Sequence, residues 1–205
     1  MRRIILGLAL LFCGCTSAAQ APDQPRSFNP LGPYRQDATG FIFPVAVEPF
    51  RRSVVTEFNA QKTDVSAGYD KPPGPNAMAA TIYVYPAPSL TSIGSPQNVI
   101  DEARDHLCNE AWEGIKSEIQ HAHPDAKLIE QGQLPSPSPT FTNPGHRAVF
   151  AFTDIFAGTQ QPLHSEADLF CYVKDQWLVA YRTTTPAAND YRADLTTLMR
   201  KLRWP

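Results

Sequence analysis

An α+β fold is what this sequence predicts: one antiparallel sheet packed by a long central helix and a C-terminal helix. Three observations carry the prediction. Runs with period-two apolar alternation lie both before and after the middle of the chain. One long stretch with helical periodicity separates them, and a second helical pattern closes the chain. Strands and helices do not alternate, which excludes the parallel, doubly wound arrangements. The 205 residues, 42% hydrophobic and 19% charged, have a globular composition and a length suited to one domain.

The elements follow in order. Phe41-Ile42-Phe43, bounded by Gly40 and Pro44, reads as an opening strand. Residues 51–59 and 63–70 form a strand pair, in which Val65, Ala67 and Tyr69 alternate with polar neighbours. The cluster Lys71-Pro72-Pro73-Gly74-Pro75-Asn76 breaks the chain. Ala80, Ile82 and Val84 then alternate with Thr81, Tyr83 and Tyr85 as far as Pro86. Ser95-Pro96 supplies a capping hydroxyl and a proline for the first helical position, and the helix should run to about His121. Ile100, Leu107, Cys108, Ala111, Ile115 and Ile119 share one face of it, with Trp112 at the margin. Residues 127–131 give a weak strand, and the proline-rich stretch 133–145 a loop.

Three more strands are expected at 146–156, 163–173 and 176–184. In the middle one Leu163, Ala167, Leu169, Cys171 and Val173 take one face. His164, Glu166, Asp168, Phe170 and Tyr172 take the other. Lys174-Asp175 makes a tight hairpin turn. Thr185-Pro186 opens the last helix, along which Tyr191, Leu195, Leu198 and Leu202 repeat at helical spacing.

The chain begins with Met1-Arg2-Arg3, an apolar run over residues 4–12, and small residues after it, the layout of a secretory signal. The run is too short to cross ~30 Å of hydrocarbon. Leu11-Phe12-Cys13-Gly14-Cys15 resembles the lipobox of bacterial lipoproteins. The resemblance implies a signal peptide over 1–14 and a diacylglyceryl (palmitate-bearing) anchor on Cys15, although Phe12 and Cys13 depart from the usual residues. Cleavage after Ala19 without lipid is the competing reading. Thr16, where inner-membrane lipoproteins carry Asp, implies the outer membrane, with the domain facing the periplasm. Residues 15–39 then form a lipidated flexible tether, and 40–205 the domain. The near-neutral balance, a net charge of -2, argues against a nucleic-acid partner. The expected partners are the membrane, through the anchor, and an envelope protein.

Gly40 to Pro44, the long helix, the run Leu169-Phe170-Cys171-Tyr172-Val173 turning into Trp177-Leu178-Val179-Ala180-Tyr181-Arg182, and the closing Leu202-Arg203-Trp204-Pro205 together resemble the PsbP-like fold of small exported lipoproteins. That resemblance implies an α/β/α sandwich over most of residues 40–205. Its motifs are packing patterns and carry no catalytic residue to this chain.

Cysteines and polar residues supply the candidate chemistry. With Cys13 and Cys15 in the leader region, Cys108 and Cys171 remain as a disulfide pair, or as two separate buried thiols. His121-Ala122-His123-Pro124-Asp125 offers ligands to a metal, but lies at a helix end, where a cationic histidine also favours the helix dipole. His164, Glu166 and Asp168, with His146 nearby, form an acid–base cluster on paper, or simply the solvent face of a strand. Glu102 with Asp105, and Glu110 with Glu113, are carboxylate pairs that equally suit a solvated helix face. Serine-hydrolase elbows, phosphate-cradling loops and dinucleotide fingerprints do not occur. Tyr83, Tyr85, Phe170 and Tyr172 form a candidate aromatic binding surface, unless a helix covers that side of the sheet. The resulting expectation is a non-catalytic, lipid-anchored envelope domain that binds a partner or ligand, with no cofactor, metal or catalytic residue assigned. The alternatives are an envelope hydrolase built on the His/acid strand, and a metal carrier built on His121 and His123.

Overall fold

The computed structural model describes residues 24–72, 77–91, 94–202 and 204. Cys15 and the rest of the leader lie outside the described residues. The N-terminal part contributes four short strands, β1 (Arg26–Phe28), β2 (Tyr34–Arg35), β3 (Ile42–Phe43) and β4 (Ala46–Val47). Longer strands follow: β5 (Phe50–Glu57), β6 (Val65–Lys71) and β7 (Met78–Pro86). Helix α1 (Gln97–Ala122) leads to β8 (Lys127–Leu134), β9 (Gly145–Phe156), β10 (Thr159–Val173) and β11 (Trp177–Pro186). The chain closes on α2 (Arg192–Lys201).

All strands but β2 and β3 join one nine-stranded antiparallel sheet, ordered β1-β5-β6-β7-β11-β10-β9-β8, with β4 also on β5. The balanced α+β sandwich expected from the sequence is therefore corrected to a β-rich fold, with 45% of the described residues in strands and 21% in helices. Two misread segments contribute to the change. Thr185 and Pro186 do not start a helix but end β11, where Thr185 Oγ1 donates to the Ala77 carbonyl. Residues 159–162, polar enough to pass for a loop, extend β10 because Ala157 and Gly158 both adopt positive φ (51° and 82°), the backbone of a tight primed turn.

The stretch assigned to a tether is also folded from its first described residues. Ser27 pairs with Thr56 along β5, and the fully buried Gln36 donates to the carbonyls of Thr63 and Val84. Buried Arg52 reaches from β5 to the carbonyls of Gly32 and Phe43, pinning the segment across the sheet. These long-range bonds satisfy backbone groups that a loop would otherwise leave to water.

Cross-strand register divides the sheet into two faces. On one, Ala148, Phe150, Leu163, Ala167, Leu169 and Leu178 pack under Trp112 and Ile119 of α1. On the other, Tyr69, Ile82, Val84, Phe170 and Tyr181 meet Leu195 and Leu198 of α2, with Phe41, Phe43 and Phe50 of the N-terminal segment. Val173, expected beside Leu169 and Cys171, lies on the α2 side instead. A bulge between Phe170 and Val173, with Tyr172 at φ 57°, inserts the extra residue that reverses its direction. At the start of α1, Ser95 caps nothing. Pro96 holds the capping position, and its carbonyl accepts from the amides of Val99 and Ile100. Among the described residues, no helix is long and apolar enough to cross a membrane.

Candidate functional site

A cleft of about 480 Å³ opens where α1 stands away from the sheet. Its floor is the α1-side face of β7 and β11, carrying Tyr83, Tyr85, Ala180 and Arg182. One wall is α1 itself, through Ala111, Gly114, Ile115 and Glu118; the other is the turn between β5 and β6, through Phe58 and Asp64. The local sequence explains the gap. Cys108, Trp112 and Ile119 turn inward and seat the helix over β10. The neighbouring stripe carries only small side chains at 111 and 114, so it leaves the space above the tyrosines unfilled. A volume of this order suits a small ligand, and the apolar walls with a few polar groups follow the usual make-up of such sites.

The polar groups of the cleft are electrostatically coupled. Burial pushes the Tyr85 phenol up to about 12, and the Glu118 and Asp64 carboxylates add to the shift. Burial likewise raises the Asp64 carboxyl. Among the described residues no serine, threonine, cysteine, histidine or lysine lines the cleft; the side chains it offers are aromatic rings, two carboxylates and a guanidinium.

The four aromatics expected to form one surface are divided. Tyr83 and Tyr85 lie half-buried in the cleft. Phe170 is fully buried on the opposite face, edge-on to Tyr181 and Trp204. Tyr172 sits at the hairpin end, beside a separate recess of about 440 Å³. The Arg104 guanidinium covers its ring at 5.1 Å while pairing with Asp175 at 3.0 Å. The bulge that reverses Val173 is what removes Tyr172 from the row of Phe170.

The His/acid strand is also divided, and it is no solvent face. Leu169 pairs with His146 and Asp168 with Arg147, so His146 points to the α1 side and the two acids to the α2 side. There His146 stacks on Trp112 with ring centroids 5.5 Å apart, and burial lowers its pKa. Glu166 is 3% exposed and accepts from Arg147 (2.8 Å) and from the Tyr191 hydroxyl (2.7 Å). Asp168 is completely buried; neither of its carboxyl oxygens has a hydrogen-bond partner among the described residues. Burial first, and then the charge of Glu166, push it well above the usual carboxylate range. His164, half-buried beside them, pairs along the backbone with Ala151 and Thr185. An acid–base site that needs His146 with these residues would have to work through the sheet.

The histidine pair of α1 is separated as well. His123 stacks on Phe152 at 3.9 Å and lies 3.3 Å from Asp154, whereas Asp125 accepts from the Thr153 amide and His121 is exposed. Among the described residues, no group of three or more His, Cys, Asp or Glu side chains is disposed to hold a metal. On the outer face of α1, Glu110 approaches His106 and Glu113 pairs with Lys116, while Glu102 and Asp105 are exposed. Cys108 and Cys171 are joined as a disulfide that ties α1 to β10.

Sequence reasoning found the two tyrosines of the cleft but not Phe58, Asp64, Glu118 or Arg182. Those four come from segments far apart in the chain. The one local signal was Gly114, a glycine inside a helix where alanine would be more stable by roughly 0.8–1 kcal/mol. No family model, curated protein or solved structure matches the chain.

Proposed function

We propose that this chain is an exported, lipid-anchored domain of a bacterial cell envelope that binds a small ligand without transforming it. The observation that carries the reading is the cleft of about 480 Å³ floored by Tyr83 and Tyr85. Support for the location comes from the cationic and apolar leader and from Cys15 in its lipobox-like setting, with outer-membrane attachment following from Thr16. The binding reading is favoured over the enzyme alternative because His146 and the buried acids occupy opposite faces of the sheet. It is favoured over metal carriage because His123 and Asp125 are already engaged within the fold.

Native mass spectrometry of the full chain extracted from envelopes, beside a Y83A/Y85A variant, tests the proposal. The expected outcome is a small-molecule adduct on the parent that the variant loses. Equal retention by both would take the cleft out of the function, and hydrolytic turnover by the purified parent would overturn the non-catalytic reading.

A further inference from the structure

The charges of the cleft restrict what it can accept; the inference rests on the ligand-binding reading above and gives the ligand a chemical class. Asp64 and Glu118 enter from opposite walls, one just ahead of β6 and the other from α1. Register fixes the position of the first. Ser66 pairs with Tyr83 and Val65 with Val84, so Asp64 comes level with Tyr85 and on the same face as Ser66. Among the described residues neither carboxylate has a side-chain hydrogen bond or ion pair, and both act on the Tyr85 phenol. Arg182, whose backbone pairs with Thr81 four residues from Tyr85, brings one cation to the same cleft. Two unpaired carboxylates therefore face one guanidinium, beside the rings of Phe58, Tyr83 and Tyr85.

Aromatic faces carry negative electrostatic potential and attract organic cations, most strongly where water is displaced. An anionic amphiphile would meet two like charges in this cleft. A neutral one would bury carboxylates without giving them a partner, which is costly. We infer that the cleft takes a small amphipathic organic cation, an ammonium or quaternary ammonium head on an apolar body. The head lies between Asp64 and Glu118 against the Tyr85 ring, and the body runs along Ala111, Gly114 and Ile115.

Titration of the purified full chain with decyltrimethylammonium and decyl sulfate below their micellar concentrations, and with decanol below its solubility limit, tests this. The readouts are the Gly114 amide and Ile115 methyl NMR signals. The cation should shift both signals saturably, at least tenfold more tightly than decyl sulfate or decanol. E118Q and D64N together should weaken cation binding at least tenfold, E118Q alone less, and R182Q should strengthen it. Glu118 is exposed, so E118Q keeps the test valid even if D64N disturbs the turn. Saturable binding of decyl sulfate or decanol as tight as that of the cation would overturn the cationic class while leaving the cleft a binding site. Cation binding unchanged in the charge variants would overturn it too. If none of the three probes moves Gly114 or Ile115, the cleft itself fails as the ligand site, and the function proposed above falls with it.

Discussion

The two faces of β10 differ in what they bury and in how completely they are covered. Toward α1 the strand presents Leu163, Ser165, Ala167 and Leu169, uncharged throughout and apolar but for Ser165, and the helix above is fixed to it by the Cys108–Cys171 disulfide. Toward α2 it presents Glu166 and Asp168, ionisable and almost without exposure. Yet the open cleft belongs to the apolar side, while the acids lie sealed beneath Tyr191 and α2. Buried ionisable groups are common markers of functional sites, but ion-pair networks that only hold structure perturb pKa values in the same way. Here access separates the two cases. The Glu166 network clamps the start of α2 to the sheet, reinforced by the pairs Arg192–Glu130 and Lys71–Asp194, and keeps both acids out of contact with solvent.

The largest expected effect is on the α1 side. Replacing Cys108 and Cys171 by alanine opens a loop with a sequence separation of 63, worth about 4 kcal/mol in the chain-entropy model. Urea unfolding of the C108A/C171A variant should show a loss of that order. Because the helix forms the cleft wall, ligand retention should fall with it. A variant of unchanged stability would mean that the apolar contacts of Trp112 and Ile119 hold α1 without the bridge. The α2 side has a smaller counterpart at Gly145. A Cβ built there would lie 2.6 Å from the Phe170 ring and 2.9 Å from the Leu169 carbonyl. G145A should therefore cost about 1–3 kcal/mol, the range for overpacking a core. Ligand retention per folded molecule should stay unaltered, since Phe170 lies on the face away from the cleft.

Period-two patterning located β5, β6, β7, β9, β10 and β11 to within a few residues, because each has strongly apolar positions on at least one face. It could not say which face was wet. In β10 both faces are covered, so the polar row His164, Glu166, Asp168 reads like a solvent face although its two acids are buried. A polar residue identifies solvent only where nothing long-range supplies its hydrogen bonds, and Arg147 and Tyr191 supply those of Glu166. Gln36 misleads in the same way: its polarity suits a tether, but the carbonyls of Thr63 and Val84 that it donates to lie 27 and 48 residues away. Thr185-Pro186 carries the local signature of a helix start, and a bond to Ala77, 108 residues away, places it in a strand. The cysteine pairing was legible because both residues fall on apolar faces that must meet. The cleft was half legible: two tyrosines alternate visibly in β7, whereas the charges around them converge only through the tertiary fold.

The last test isolates the sealed face. Asp168 has a native pKa raised by burial and by the neighbouring Glu166 charge, so the folded state holds this proton at pH values where the unfolded chain has lost it. Below the unfolded value both states are protonated, and the site imposes no pH-dependent cost. As pH rises past that value the unfolded chain ionises first, and stability falls until the native group ionises too. A carboxamide in place of the Asp168 carboxyl cannot ionise and nearly preserves the shape, so D168N should be more stable than the parent at pH 7. The gain should be about 1.4 kcal/mol for each pH unit from the ordinary carboxylate value up to pH 7, or up to the pH at which the native group ionises. The gap should narrow as pH is lowered toward the ordinary carboxylate range, and thermal melts of both proteins from about pH 3.5 to 8, spanning the ordinary carboxylate values, would show it. The parent–variant difference cancels the titration of carboxylates remote from Asp168 and leaves that of the Asp168–Glu166 pair. A D168N protein less stable than the parent across that range would mean that the carboxyl makes an indispensable bond in the folded state, and the contrast between a sealed structural face and an open binding face would no longer hold.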